Sequence, residues 1–185
     1  MKIMNFAASL RKDSFNRKMI NQVVEILKSL PLIEIDHADF REFEMPIYDG
    51  DLEESSGIPH GGLKLIKRIQ EANALIISTP EYNGGIPGSL KNAIDWVSRV
   101  DPIPFKDKPV LLLGATPGGL GTIRSLWHTR VPLEAIGAFV YPEMFGIPAA
   151  NKAFDQEGKF INPEYKERLK NLISSYLRYA SALIK

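Results

Sequence analysis

The sequence predicts a single α/β domain over residues 1–185, with a parallel β-sheet between layers of helices. Short apolar runs alternate with amphipathic segments about five times along the chain, a pattern typical of strands joined by crossover helices. The apolar runs carry few charges, as strands do when both faces of their sheet are covered. A chain of 185 residues is long enough for one domain to bury a sizeable core.

The N-terminal part of the chain predicts one helix between two strands. Residues 1–8 form an apolar run that indicates a buried strand. From Phe15 to Leu30, apolar residues recur every three or four positions, which predicts an amphipathic helix that ends before Pro31. Residues 33–38 alternate between apolar and polar side chains, which indicates a strand at an edge of the sheet.

The middle of the chain contains the clearest strand. Residues 41–62 are rich in glycine, proline and acidic residues and are predicted to form a loop. A short helix over residues 64–71 leads into the uncharged strand over residues 74–79. After a glycine-rich loop, apolar residues share one face of a helix that starts at Ser89 and ends before Asp101.

The C-terminal part continues the alternation of strands and helices. Residues 109–115 predict a strand, and a helix from about Thr122 is expected to be kinked or divided at Pro132. The remaining predictions are a brief strand over residues 138–141, an irregular segment over 142–162 and a terminal amphipathic helix over 165–183.

Three loops are predicted to converge at the carboxyl edge of this sheet. They comprise residues 9–16, 80–88 and 116–121, and each follows a predicted strand. In open parallel sheets, ligands bind in the crevice outside the carboxyl ends of the strands. The convergence of the three loops therefore predicts one ligand-binding crevice.

The first of these loops carries small hydrogen-bond donors and one guanidinium group. Ser9, Ser14 and Asn16 supply hydroxyl and amide groups, and Arg11 supplies a positive charge. The start of a helix favours anions because its N–H groups are free and its dipole is positive there. These features predict a phosphate-binding loop. The alternative is that Ser14 or Asp13 only caps the helix, with Arg11 in solvent.

The second loop contains three glycines and two prolines, which stop both the strand and the helix beside it. Gly84 and Gly85 have no side chains that would keep a flat ligand away. Together with Asn83 they are expected to point successive backbone N–H groups outward. The alternative is a tight turn without a ligand.

Composition argues against several kinds of partner. The net charge of +1 gives no general electrostatic surface for nucleic acid or for an anionic membrane. The absence of cysteine excludes disulfides and thiol catalysis and is compatible with a reducing cytosol, so we expect a cytoplasmic protein. No apolar run approaches the length of a membrane span.

Several catalytic motifs are missing from the sequence. It contains no Gly-Lys-Ser/Thr phosphate loop, and the turn after the first predicted strand has no glycine for a dinucleotide fingerprint. His37, His60 and His128 lie far apart in unlike contexts, which predicts no metal site. Neither a nucleophile elbow nor a carboxylate pair stands out, so no catalytic side chain is predicted.

Together the three loops resemble the NADPH-dependent FMN reductase family, which has a flavodoxin-like fold and includes quinone, azo-dye and chromate reductases. The resemblance covers most of the chain. It rests on SLRKDSFN at residues 9–16, on TPEYNGGIPG at 79–88 with LKNAIDW at 90–96, and on GATPG at 114–118.

The resemblance implies a flavodoxin-like three-layer sandwich with a five-stranded parallel sheet. It also implies an enzyme that takes hydride from NADPH or NADH onto FMN and passes electrons to a small-molecule acceptor. Such an acceptor is a quinone, an azo compound, free flavin or a metal oxyanion, and FMN itself carries the hydride chemistry. The implied FMN contacts are Ser9, Arg11, Ser14, Phe15 and Asn16 at the phosphate, Pro80, Glu81, Tyr82, Asn83, Gly84 and Gly85 around the isoalloxazine ring, and Thr116 and Gly118 on the opposite side.

Two positions depart from the family pattern. Ala7 and Ala8 stand where the family often has Ser-Gly, which is expected to matter little for phosphate binding. Thr122 replaces the second glycine of a common pair and, beside Arg124, is expected to alter the nicotinamide or acceptor side of the site.

Two other functions stay open at this stage. They are a flavodoxin-like electron carrier that does not use NADPH, and a regulatory protein that keeps the fold without oxidising NAD(P)H.

Two helices predict a homodimer, with a homotetramer as a second form. In the helix after the second loop, Trp96 lies beside the core stripe and is expected to need cover from another chain. In the helix after the third loop, Trp127 shares an apolar face with Arg130, and interfaces favour both residue types. The alternative is that both tryptophans pack under loops of their own chain. The family resemblance also implies a dimer with the flavin near the interface.

Overall fold

The computed structural model describes residues 1–184, in which strands and helices alternate along the chain. The strands are β1 (Lys2–Ala7), β2 (Glu34–Ala38), β3 (Ala74–Ser78), β4 (Pro109–Ala115), β5 (Phe139–Val140) and β6 (Phe145–Ile147). The α-helices are α1 (Phe15–Lys28), α2 (Gly50–Ser56), α3 (His60–Glu71), α4 (Gly88–Val97), α5 (Ile123–Ala135), α6 (Ala150–Ala153) and α7 (Pro163–Leu183), and a 3₁₀ helix spans Phe40–Phe43.

All strand pairs in the sheet are parallel, and the strand order is β2-β1-β3-β4-β5. β6 also pairs with β4, so two short segments share the fifth position. Phe6 in β1 lies opposite Ala38 in β2 and Ile77 in β3, which fixes the register of the central strands. This order is the flavodoxin-like one. The predicted sandwich with five parallel strand positions is therefore confirmed, as is the edge position of β2.

The core has two layers because alternate residues of each strand point to opposite faces. Leu75 and Ile77 of β3 belong to a cluster that also contains buried side chains of α3, α4 and α5. Ala74 and Ile76 belong to a second cluster, against α1 and α7. Since every residue of β3 is buried, helices cover this strand on both faces.

The segment over residues 41–62 is more helical than predicted. It contains α2 and the first turn of α3, which begins at His60. The glycines in this turn allow close packing against a neighbouring segment and do not mark a loop. A Cβ on Gly61 would lie only 2.1 Å from the carbonyl oxygen of Glu44. The prediction of a continuous loop is therefore wrong.

The C-terminal half also differs from the prediction in two places. The segment over residues 142–162 contains β6 and α6 and is therefore not irregular throughout. Helix α5 runs through Pro132 and ends at Ala135, so the proline does not divide it.

Trp96 is fully buried by its own chain. Its indole Nε1 donates a hydrogen bond to the carbonyl oxygen of Pro46 at 2.9 Å, and its ring contacts Tyr48 edge-on. The prediction that Trp96 needs cover from a second chain is wrong, because the segment before α2 supplies that cover.

Arg130 is also satisfied within its own chain. Its guanidinium group donates to the backbone carbonyls of Tyr141 and Val140 and pairs with Glu134 at 2.6 Å. A partner chain is not needed to explain this arginine, contrary to the sequence-based argument. Trp127, one turn earlier on α5, remains 57% exposed.

Candidate functional site

The three loops at the carboxyl edge of the sheet surround one cavity of about 200 Å³. Nine of the residues predicted from the sequence line this cavity, and Ala115 and Pro117, which the sequence did not single out, line it too. The predicted residues brought together are Ser9, Arg11, Ser14, Phe15, Asn16, Pro80, Glu81, Tyr82 and Thr116. Asn83, Gly84, Gly85 and Gly118 lie outside this lining.

The first loop presents polar groups at the N-terminus of α1. Ser14 is buried, and its Oγ accepts a hydrogen bond from the Asn16 N–H at 3.2 Å, so this serine does cap the helix. Within residues 1–184, no acceptor is paired with the backbone N–H groups of Lys12, Asp13 and Ser14. Free N–H groups beside the positive end of a helix dipole form an anion-binding site.

Arg11 is exposed at the mouth of this cavity. Its backbone N–H donates to Ser9 Oγ at 3.4 Å, whereas its guanidinium group has no carboxylate partner in the described part of the chain. A guanidinium group in this position can form charge-assisted hydrogen bonds to a phosphate.

Asn16 is used differently from the direct phosphate contact that the sequence suggested. Its side chain is buried and joins the ends of two strands. Nδ2 donates to the carbonyl oxygen of Ala115 at 3.0 Å, and Oδ1 accepts from the Ala115 N–H at 2.9 Å and from Ser78 Oγ at 2.8 Å. In this structure Asn16 therefore holds α1, β3 and β4 in register at the cavity.

The second loop folds back on itself as a small hairpin. Asn83 and Gly84 have φ angles of 51° and 77°, the left-handed pair that a type I′ turn requires. The Tyr82 and Gly85 backbones exchange hydrogen bonds of 3.2 and 3.0 Å on either side. Because the Gly85 N–H is engaged in this bridge, it does not point outward as expected.

Glu81 anchors this hairpin to α5. Its side chain is only 8% exposed, and it accepts a hydrogen bond from Arg124 Nε at 2.8 Å and one from the Ser125 N–H at 3.4 Å. Burial on its own would raise the pKa of Glu81, but the hydrogen bonds from Arg124 and Ser125 outweigh burial. The pKa of Glu81 therefore lies below its ordinary value, and the paired carboxylate is not available as a general acid at neutral pH.

The third loop turns away from the cavity after Pro117. Gly118 donates its N–H to Thr116 Oγ1 at 3.3 Å, which closes a short turn. Thr122 is completely buried with φ at 63°, and its Oγ1 would lie 1.9 Å from a Cβ on Gly114. Because Thr122 faces Gly114, the expectation that it directly alters the acceptor side of the site is not supported.

Comparison with known proteins decides the family. Residues 1–152 match the family described as NADPH-dependent FMN reductase. A quinone reductase of Escherichia coli strain K12 is 32% identical over 184 residues, covering 95% of this chain and 93% of that protein. An NAD(P)H-dependent FMN reductase of Pseudomonas aeruginosa is 32% identical over 177 residues, covering 95% and 92%. This chain belongs to the NADPH-dependent FMN reductase family.

A solved structure agrees at the level of the fold. The flavoenzyme NAD(P)H:acceptor oxidoreductase FerB from Paracoccus denitrificans has a TM-score of 0.81 at 24% sequence identity, covering 98% of this chain and 97% of that one. The match to the family model over residues 1–152 and the relatives at 32% identity confirm the family resemblance inferred from the three loops. As a member of the family, the protein is an FMN-dependent oxidoreductase that uses NAD(P)H.

The residues of this reductase fit FMN. The first loop combines two buried serine hydroxyls, free backbone N–H groups and the unpaired Arg11 guanidinium, which are the donors that a terminal phosphate needs. Pro80, Ala115 and Thr116 form the opposite side of the same cavity with short side chains. When bound, FMN supplies two-electron transfer between NAD(P)H and the acceptor.

Other kinds of site find no support in the described residues. Residues 1–184 contain no group of three or more His, Asp or Glu side chains placed to hold a metal ion. None of the helices over these residues combines the length and apolar character needed to cross a membrane.

Proposed function

We propose that this flavoenzyme passes electrons from NAD(P)H to quinone-type acceptors in the crevice formed by the three loops. The observation that carries the proposal is the chemistry of the cavity lining. Glu81 is the one carboxylate among the described residues that line it, and this carboxylate is paired with Arg124. A site without a free acid or base suits a reaction that the cofactor performs. The name of the E. coli relative, a quinone reductase, supports the same choice.

The overall reaction is balanced without a catalytic side chain. NAD(P)H and one proton reduce a quinone to the quinol, and NAD(P)⁺ is released. Two electrons leave the nicotinamide, and the quinone gains these two electrons and two protons. The second proton comes from solvent, which reaches the open side of the cavity beside the exposed Tyr82. The protein binds and orients the reacting molecules, and it stabilises the charge that develops on them.

The positions of the site residues support the following roles. Ser9, Ser14 and Arg11 would bind the FMN phosphate together with the N-terminus of α1, while Phe15 and Asn16 would position that loop. Phe15 stacks on Phe154 with ring centroids 6.4 Å apart, and Lys18 lies over the Phe15 ring. The stacking on Phe154 holds the start of α1 against the core.

The remaining predicted residues surround the ring. Pro80, Glu81 and Tyr82 of the second loop and Thr116 of the third loop line the cavity and would hold the isoalloxazine ring. The hairpin at Asn83, Gly84 and Gly85 would keep the second loop in place, and Gly118 would do the same for Thr116 through its hydrogen bond to Thr116 Oγ1.

Anaerobic spectroscopy tests this function. Purified protein should show the absorbance of bound oxidised flavin, lose it when NADPH is added, and regain it when a naphthoquinone without a side chain follows. Bleaching without reoxidation by the quinone would contradict the acceptor class. A flavin-containing protein that NADPH does not bleach would instead indicate an electron carrier.

We also propose that the protein assembles as a homodimer, with a homotetramer as the alternative, in the cytoplasm and without nucleic-acid or membrane partners. The surface that supports assembly is the outer face of α5, where Ile123, Trp127 and Val131 are 39%, 57% and 67% exposed. Exposed apolar patches of this kind mark protein interfaces.

Light scattering tests the assembly. A mass near 20.7 kDa, that of one chain, would contradict the dimer. Trp127→Ala should lower the mass at micromolar concentration, whereas the control Ile161→Ala, which removes another side chain that is 61% exposed, should not.

A further inference from the structure

A second concavity lies beside the cofactor cavity and is much larger than it. It has a volume of about 860 Å³ and lies between helix α4 and the segment that connects the 3₁₀ helix to α2. Met45, Ile47 and Tyr48 form one wall, and Gly88 and Asn92 of α4 form the other. We call this concavity the α4 groove.

The walls of the α4 groove are held together by side-chain hydrogen bonds. Asn92 Oδ1 accepts from the Tyr48 N–H at 2.7 Å, and Asn92 Nδ2 donates to the Pro46 carbonyl at 2.8 Å. Trp96 Nε1 donates to the same carbonyl at 2.9 Å. These bonds fasten residues 46–48 to α4, so the groove is formed before any ligand arrives.

The α4 groove presents an apolar surface. Ile47 is 85% exposed and Leu10 is 56% exposed, although both are large aliphatic side chains. Among the charged groups at its rim, Lys91 pairs with Asp95 at 2.6 Å and Arg41 pairs with Asp39 at 2.6 Å. Glu44 is the exception, since its carboxylate has no ion-pair partner among the described residues. A concave site of this size with few free polar groups is typical of sites for small apolar ligands.

The α4 groove and the cofactor cavity share a loop. Leu10 lines the groove, and the residues on either side of it, Ser9 and Arg11, line the cavity. At the other end, Gly88 lines the groove directly after the loop that carries Pro80 and Tyr82. A molecule that reacts in the cavity can therefore extend into the groove.

We propose that the α4 groove binds the hydrocarbon substituent of the quinone acceptor, with the quinone ring in the crevice. This inference rests on the proposed quinone reduction and names the kind of quinone, one with an alkyl or isoprenoid chain. The balance of the reaction is the one given above, because the chain binds and does not react. Each methylene that leaves water should raise kcat/KM by up to about fourfold, until the groove is filled.

The test uses the FMN-loaded enzyme and quinones that share one ring and differ in chain length. In the wild type, kcat/KM should rise with chain length. Ile47→Asp should remove most of this rise, while kcat/KM for the quinone without a chain stays within about twofold. The matched control is Leu32→Asp, because Leu32 is 91% exposed and lies outside the groove.

Binding without turnover provides a second readout. With methionine methyl groups labelled with ¹³C, a redox-inert aromatic compound carrying the same chain should shift the Met45 signal, assigned with Met45→Leu. The signal of Met4, which is buried in the core, should not move. An unshifted Met45 signal at saturating ligand would overturn the proposal.

Three further outcomes separate this proposal from competing ones. If the chainless quinone is reduced well and chain length has no effect, the groove proposal fails and quinone reduction stands. If neither kind of quinone reoxidises the reduced enzyme, both proposals fail. If Ile47→Asp lowers the mass measured by light scattering and slows all acceptors equally, a second copy of the chain covers the groove, which also overturns the proposal.

Discussion

Asn16 and Ala115 hold each other by a reciprocal pair of hydrogen bonds, although 99 residues separate them. The Asn16 amide donates to the Ala115 carbonyl at 3.0 Å and accepts from the Ala115 N–H at 2.9 Å. Ser78 adds a third bond to the same amide at 2.8 Å. β6 pairs with Ala115 on one side, but the pairing with β3 ends at Leu113, so the Asn16 side chain takes the place of a strand partner on the β3 side. It thereby joins the strand ends from which the three loops of the crevice start.

Asn16→Ala should destabilise the fold and weaken FMN binding together. The substitution leaves the Ala115 N–H and carbonyl and the Ser78 hydroxyl buried without a partner, and each such group costs about 1–3 kcal/mol. We expect the free energy of unfolding, measured in urea, to fall by about 3 kcal/mol or more. Asn21→Ala is the control, because Asn21 lies on the same helix and is exposed. Equal stability of the two variants would contradict the role assigned to Asn16.

Arg11→Ala should weaken FMN binding without changing stability. A charge-assisted hydrogen bond contributes about 1.5–3 kcal/mol, so the dissociation constant should rise by about ten- to a hundredfold. Flavin fluorescence during titration of the apoprotein measures the constant. The neighbouring exposed lysine gives the control Lys12→Ala, which should change it much less. An unchanged constant for Arg11→Ala, or tighter binding of FAD than of FMN, would rule out the phosphate site.

Glu81→Gln should destabilise the protein at neutral pH and much less in acid. The pKa of Glu81 is lower in the folded state than its ordinary value of 4.5, because the hydrogen bonds from Arg124 and Ser125 outweigh the effect of burial. The stability that this carboxylate contributes is therefore present above pH 4.5 and is lost as the pH falls through the folded-state pKa. Urea unfolding of both proteins at pH 7 and at successive acid pH values well below 4.5 measures the difference. A destabilisation that is the same at both pH values would show that the charge is not responsible.

The central part of the fold can be predicted from the sequence, because a strand that is buried on both faces of the sheet appears in the sequence as a run of uncharged apolar residues. The five residues of β3 are all buried, and their apolar run is apparent without the structure. The segment over residues 41–62 could not be predicted in this way. A Cβ on residue 61 would lie 2.1 Å from the carbonyl oxygen of Glu44, so this position needs glycine. In the sequence alone, a glycine that is required for close packing cannot be distinguished from a glycine in a loop.

The candidate site could be predicted as a set of residues but not as a set of roles. Ser14 and Asn16 belong to the same loop motif but act differently. The Ser14 hydroxyl caps α1, whereas the Asn16 amide forms hydrogen bonds with Ala115 and Ser78 at the ends of two strands. Trp96 was impossible to place from helix periodicity, because its cover comes from Pro46, 50 residues earlier in the chain. Contacts over such separations leave no local pattern.

Gly114→Ala should destabilise the protein, and Thr122→Gly should partly restore the loss. The new methyl group would lie 1.9 Å from Thr122 Oγ1 and 2.8 Å from the Thr79 carbonyl oxygen. Overpacking of this kind typically costs about 1–3 kcal/mol. Glycine at position 122 removes one of the two clashes and relieves the left-handed backbone of Thr122, whose φ is 63°. Thermal unfolding of the single and double variants measures the coupling, and additive losses would show that the two side chains do not compete for space.

The last prediction is ping-pong kinetics. One cavity lies among the three loops, and the sequence has no separate dinucleotide-binding motif, so NAD(P)H and the acceptor should use the same face of the site in turn. With both substrates varied, double-reciprocal plots of the initial rate should give parallel lines, since NAD(P)⁺ leaves before the acceptor enters. An NADPH analogue that cannot donate hydride should compete with the quinone, because both need the space beside Pro80 and Tyr82. Intersecting lines would mean that a ternary complex forms. In that case the α4 groove, or a surface supplied by a second chain, must hold one substrate while the other reacts.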